Sequence, residues 1–188
     1  MSLKKGVSWL ILIILIFGLI VLSGCGPENV NGNNGEDPIS ESVIVDLYFI
    51  NSEYARTGDE SLEHYLIDTR ELQYEEDVNP WVDILNSLKN VDLDDCETAV
   101  TENVIFKDVS VSKEDSSIMI VDLGEAVSGG SMQESFFIRQ IVKTIIKNGP
   151  LFQESSEVGK VQFQVKGEIV ESLMGHFSAS EPFNDEID

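Results

Sequence analysis

Ile118-Met119-Ile120-Val121-Asp122-Leu123, then Ser131-Met132-Gln133-Glu134-Ser135-Phe136-Phe137-Ile138-Arg139-Gln140-Ile141-Val142-Lys143-Thr144-Ile145-Ile146-Lys147, and then Lys160-Val161-Gln162-Phe163-Gln164-Val165-Lys166 decide the fold. The first run, with Ser117 in front of it, is rich enough in β-branched and apolar residues for a core strand. In the second, Met132, Phe136, Phe137, Ile141, Val142, Ile145 and Ile146 fill a broad apolar face at the helical period. Ser128-Gly129-Gly130 opens that helix and Asn148-Gly149-Pro150 stops it. The third alternates Val161, Phe163 and Val165 with Gln162 and Gln164, the period of a strand.

Working outward, Val104 to Val111 is a further strand, joined to the 117–123 strand by the hairpin-length connection Ser112 to Ser116. Val43 to Ile50 places apolar residues at 43, 45, 47 and 49, and a second extended piece runs from His64 to Leu72 after a loop holding Thr57-Gly58-Asp59. Asn79-Pro80 caps and opens a helix whose Trp81, Ile84, Leu85 and Leu88 share one face. The order strand, strand, helix, strand, strand, helix, strand predicts an α/β fold of the α+β kind. Its expected form is two layers, a mixed sheet with both helices on one face.

The chain has 188 residues, room for one ordinary domain, and sets 34 acidic side chains against 12 Lys and Arg for a net charge of −22. Phosphate-backbone affinity comes from clustered cations, so no nucleic-acid partner is expected. The same charge repels an anionic membrane surface, leaving covalent or hydrophobic attachment as the route to a membrane. With 42% apolar residues the chain still has enough for a packed core.

Lys4-Lys5 precede the apolar run Trp9 to Leu22, which is shorter than the roughly 20 residues of a spanning helix. Leu22-Ser23-Gly24-Cys25 follows, small residues directly before a cysteine. This resembles the lipobox of bacterial lipoproteins, in which the thiol takes a diacylglyceryl group and the chain is cut just before it. The predicted organisation is a signal peptide at 1–24, a lipidated Cys25 with a flexible Gly-, Asn- and Pro-rich tether at 25–42, a folded domain at 43–183 and an acidic tail at 184–188. Anchored in this way, the domain would face the outside of the cell membrane. Cys96 is then the one remaining cysteine, which rules out an intrachain disulfide and leaves a half-buried structural thiol, an intermolecular bridge or a metal ligand as its roles.

Chemistry-bearing constellations are sparse. His64 and His176 are far apart in the chain, too few with Cys96 for a His/Cys metal site. Asp92-Leu93-Asp94-Asp95-Cys96-Glu97 lacks the sixth-position glycine of a calcium loop, and Asn103 stands where its closing glutamate belongs. Nucleophile elbows and phosphate-cradling glycine loops are absent. Carboxylate pairs are unavoidable among 34 acids, and none is singled out. The expectation is no catalytic residue, no metal and no cofactor. Arg139, Lys143 and Lys147 recur at i, i+4 and i+8 along the long helix. Such a row either docks an acidic surface, that of a partner or of a second copy, or is a solvated helix face that complements the C-terminal end of the dipole.

Several stretches together carry a family resemblance: Val45-Asp46-Leu47-Tyr48-Phe49, Ile118 to Gly124, Glu134 to Lys147, Val158 to Glu168, and the closing Gly175-His176-Phe177-Ser178-Ala179-Ser180-Glu181-Pro182-Phe183. In this order, over about Val43 to Phe183, the chain resembles the GerMN domain of sporulation and spore germination. The resemblance implies a membrane-anchored domain outside the cytoplasmic membrane, a fold similar to the ring-building motifs of secretion-type complexes, and no enzymatic activity. It departs from the family at Asn90 to Thr101, where an acidic, Cys96-bearing loop replaces the usual Gly-Pro and Pro-Gly turns. Within the motif, His176 is expected as a hydrogen-bonding clip for the chain end rather than a ligand. Gly167 and Gly175 are expected as backbone positions, one in a turn and one at a close approach, and Pro182 as structural. The implied function is non-catalytic assembly with other envelope proteins, or with copies of itself, in sporulation or germination. A wall- or small-ligand-binding accessory lipoprotein of a transporter or receptor is the alternative, and a wall hydrolase using a carboxylate pair the third.

Overall fold

The computed structural model describes residues 40–75, 78–151 and 158–186. The expected signal peptide, Cys25 and the tether up to residue 39 lie outside the described residues, as do residues 187–188 of the acidic tail. In chain order the elements are β1 (Ser40–Asn51), α1 (Ser52–Thr57), β2 (Tyr65–Glu75), α2 (Trp81–Ser87), β3 (Cys96–Glu97), β4 (Phe106–Val111), β5 (Ile118–Leu123), α3 (Ser131–Asn148), β6 (Lys160–Val165) and β7 (Glu168–Ile169).

The strands form two sheets rather than the single sheet expected: an antiparallel β2-β1-β3 and a mixed β4-β5-β6-β7. In the second, β5 and β6 run parallel while β4 and β7 pair antiparallel at either side. Parallel neighbours need a long crossover, and α3 is that crossover between β5 and β6. The α/β class follows from these elements. Both helices touch both sheets, α3 against β1 and β6 and α2 against β4 and β1.

One core joins the two sheets. Val45, Leu47 and Phe49 of β1 are fully buried, as are Met119, Val121 and Leu123 of β5 and Val161 and Phe163 of β6. Phe137, Ile141, Val142 and Ile145 of α3 and Ile84 and Leu85 of α2 complete the cluster. Each such side chain is worth roughly 1.5–3 kcal/mol of burial before entropy is counted. The Phe137 and Phe163 rings lie 6.3 Å apart between their centroids, locking α3 onto β6.

The reason for two sheets lies at the edge of β1. Its Asp46 N–H donates to Asn148 Oδ1 at 2.9 Å, and Asn148 Nδ2 donates back to the Asp46 carbonyl at 2.8 Å. The Tyr48 N–H donates to Thr144 Oγ at 3.2 Å. Gln140 Oε1, one turn further back on α3, accepts from the Ala99 N–H at 3.0 Å and from the Thr98 hydroxyl at 3.2 Å. Side chains of α3 thus take the place of a neighbouring strand and close the edge that β1 would otherwise offer to the second sheet. Only Ile50 and Asn51, beyond the helix, pair with β3.

Local chemistry holds α2 in place. Asn79 accepts the Trp81 N–H at 3.1 Å and donates to the Val109 carbonyl of β4 at 2.6 Å, so the residue that starts the helix also ties it to the sheet. At the other end, Arg70 donates to the Asn90 carbonyl at 2.8 Å and rests over the Phe49 ring, while its Nε pairs with Asp68 at 2.6 Å. A guanidinium past a helix C-terminus meets carbonyls that have no partner within the helix.

Candidate functional site

Two features converge on α3. The first is the closing segment, residues 171–185, which is stitched along the helix and β6. Glu134, with no exposed surface, lies under it. Glu134 Oε1 accepts from the Ser172 hydroxyl at 2.9 Å and from the Leu173 and Met174 amides at 3.1 and 2.8 Å. Its Oε2 accepts from the His176 and Phe177 amides at 2.8 and 3.3 Å. Burial pushes this carboxyl up, but the bonds from Met174, Ser172, His176 and Phe177 outweigh it and hold the group below its ordinary range. Its place in the first turn of α3 also suits the helix dipole.

His176 reaches the Gly129 carbonyl oxygen through Nε2 at 3.3 Å, a contact in which Nε2 carries the proton, so its ring spans to the residues that lead into α3. Gly175 has φ +98°, and nothing lies within 4 Å of a Cβ placed there. Its need for glycine is therefore conformational, not the close approach expected. The close approach belongs to Gly129, where a Cβ would lie 2.8 Å from Met174 Sδ. Gly167 (φ +82°) and Lys166 (φ +56°) form the two-residue turn between β6 and β7, and the Gly167 N–H donates to the buried Asp122 at 2.8 Å. Two successive positive φ angles are the mark of a type I′ hairpin turn. Pro182 is half-buried and precedes Phe183, which bridges Val161 of β6 through two 2.8 Å backbone bonds.

The second feature is a cleft of about 800 Å³ between α3 and the chain around the start of β2. Tyr48, Tyr54, Tyr65 and His64 line it together with Arg139, Lys143 and Asp185. Tyr54 and His64 stack at 3.9 Å between ring centroids, and His64 Nε2 lies 2.9 Å from Glu60. Lys143 Nζ meets the Asp185 carboxylate at 2.8 Å. Burial first, then the carboxylates of Asp185 and Asp46, pushes the Tyr48 hydroxyl up. Burial likewise raises the Tyr65 hydroxyl against the opposing charge of Arg139. The Tyr65 hydroxyl and the Arg139 side chain face each other in the wall of the cleft.

The expected basic row is therefore not an open stripe. Arg139 and Lys143 form a wall of the cleft, and Lys147 turns to Asp46, 3.6 Å away on β1. The acidic stretch Asp92–Glu97 is partly ordered as β3, with Asp92 facing Arg70 at 3.3 Å. Cys96 is half-buried and unbonded, and burial followed by Asp68 and Asp95 pushes its thiol up. Among the described residues no group of three His, Cys, Asp or Glu side chains could hold a metal ion, and no helix is long and apolar enough to cross a membrane. Sequence reasoning missed Glu134 and the tyrosine cleft. A signal for the first was available: a carboxylate in line with Ile138, Ile141 and Ile145 on a helix face that is otherwise apolar. The cleft had none, because its tyrosines come from β1, α1 and β2 and meet only in the fold.

Residues 46–171 match the Germane family, described as sporulation and spore germination. Among solved structures the chain is similar to a Clostridium perfringens protein provisionally described as a lipoprotein, at 18% identity and a TM-score of 0.48, over 82% of this chain and 93% of that one. It is also similar to the tandem GerMN domains of the sporulation protein GerM from Bacillus subtilis, at 13% identity and a TM-score of 0.49. That match covers 77% of this chain and 45% of the tandem protein. The first GerMN domain of the same protein matches at 12% identity and a TM-score of 0.47, over 78% of this chain and 97% of that domain. No curated protein matches the chain.

Proposed function

The chain belongs to the Germane family of sporulation and spore germination, and from that premise we propose that it is a non-catalytic envelope protein, lipid-anchored at Cys25 outside the cell membrane, that works by assembling with other envelope proteins. The observation that carries this reading is the family match, which spans both sheets and the α3 crossover. The Leu22-Ser23-Gly24-Cys25 signal supports the anchor. The closing segment supports a scaffold role, since it is fixed at Glu134 and Val161 and so presents a set surface beside the sheets.

Crosslinking of intact cells followed by pull-down from membranes, in growing and in sporulating cultures, tests it. A large complex with other envelope proteins, present in sporulating cells only, is the expected result. A monomer present equally during growth overturns it. Recovery without lipid after Cys25→Ser, against a lipidated parent, is expected of the anchor. The tyrosine-lined cleft favours one other reading, an accessory protein that binds a wall fragment or small ligand. Saturable binding of such a fragment by the monomer would select it.

A further inference from the structure

The cleft beside α3 sets two cations against one exposed carboxylate of the chain's own closing segment. In a chain of net charge −22 most surfaces repel an acidic partner, yet here Arg139 and Lys143 stand side by side on α3 with three tyrosines around them. Lys143 is met by Asp185, a carboxylate carried on the chain's own closing segment. That occupant is loosely held: Asp185 is 55% exposed, and its carboxylate meets Lys143 while the Arg139 guanidinium lies against the Tyr65 hydroxyl. The tyrosine faces and the Tyr54–His64 stack offer flat apolar walls at little entropy cost, the surface that peptide-binding sites use. Glu60 and Glu63 stand in the same lining, Glu60 beside His64.

We propose that this cleft is a receptor for an acidic peptide segment of a partner protein, which enters in the place of Asp185 and pairs its carboxylate with Lys143 and Arg139 between the tyrosine walls. Asp185 is then an internal stand-in that occupies the cleft until the partner arrives. The inference deepens the assembly reading and rests on it for the source of the segment, while the binding chemistry is tested separately.

The probe is a fluorescent peptide with the sequence of residues 182–188, Pro-Phe-Asn-Asp-Glu-Ile-Asp, titrated into the full chain in detergent micelles. Asp185→Asn in the protein empties the stand-in and should tighten peptide binding relative to the parent chain. Arg139→Gln with Lys143→Gln in that background should weaken it by about 10-fold or more, as should a peptide in which the residue equivalent to Asp185 is Asn. Unchanged thermal unfolding shows that these variants remain folded. If Arg139→Gln alone unfolds the chain, Lys143→Gln, at a site one-quarter exposed, carries the test. No binding by the Asp185→Asn chain, or binding indifferent to Lys143, overturns the proposal. So does a wall-derived glycan fragment that binds the cleft without competition from the peptide. Crosslinked complexes that survive the loss of peptide binding would remove this inference and leave assembly standing; the opposite pattern would do the reverse.

Discussion

Glu134 is a charge with no solvent and five hydrogen bonds, four of them from backbone amides of one short segment. A carboxylate can accept all of them, whereas an amide side chain has only one oxygen to offer and turns an NH₂ toward N–H groups. Glu134→Gln should therefore cost about 2–3 kcal/mol in urea unfolding, the scale of charged hydrogen bonds lost with donors left unmet. Because the folded-state pKa lies below its unfolded value, the stabilisation from this group is fully present above the ordinary carboxylate range. It fades as the pH falls through about 4 and below, so the gap in stability between parent and Glu134→Gln should narrow there. A gap that is constant from pH 7 to pH 3 would contradict an ionised Glu134. The motif Gly175-His176 was legible as a chain-end clip, but its anchor was not, since the donors are amides that every residue carries.

At the scale of elements, α3 bears two polar rows one residue apart, and they do different work. Arg139, Lys143 and Lys147 stand out in the sequence by charge, yet Gln140, Thr144 and Asn148 are the buried row, in which Thr144 and Asn148 close the edge of β1 and Gln140 holds the Thr98–Ala99 segment. Asn148→Ala should cost about 2 kcal/mol and speed hydrogen exchange at the Asp46 amide, because it leaves both the N–H and the carbonyl of Asp46 unpaired. Lys147→Gln, which loses only a half-exposed contact at 3.6 Å, should cost less than about 1 kcal/mol. Equal effects would mean that the edge is not held by Asn148. The same distinction explains what was legible. Period and punctuation located β1, β2, α2, β4, β5, α3 and β6 to within a few residues, because each buries an alternating or helical face long enough to be read. The six-residue α1 and the two-residue β3 and β7 carry no period, and they exist because Asn51 caps one and neighbouring strands recruit the others. Division into two sheets was not readable either, since it depends on which partner meets the edge of β1 a hundred residues away.

For the whole molecule the governing quantity is charge. With 34 acids against 12 cations, long-range repulsion opposes both the folded state and the approach of a second copy. The ion pairs that counter it are mostly at the surface: Lys143 with Asp185, Lys147 with Asp46 and Arg56 with Glu53. Exposed pairs of this kind contribute roughly 0–1 kcal/mol each. Salt weakens both effects, but repulsion acts over tens of ångströms and is lost first as the screening length falls from about 30 Å at 0.01 M to about 8 Å at 0.15 M. Thermal unfolding of the chain should therefore shift upward by roughly 3 °C or more over that range. A downward shift would show that the ion pairs, not the repulsion, set the balance. Self-association should follow the same sign: if copies of the chain assemble with one another, their crosslinked fraction should grow with salt, since two bodies of −22 must first be screened to touch. Self-assembly that is strongest at low salt would require a cationic surface complementary to the acidic one. The Arg139–Lys143 cleft joins two cations of the α3 row in one site, and its double substitution would then abolish that assembly.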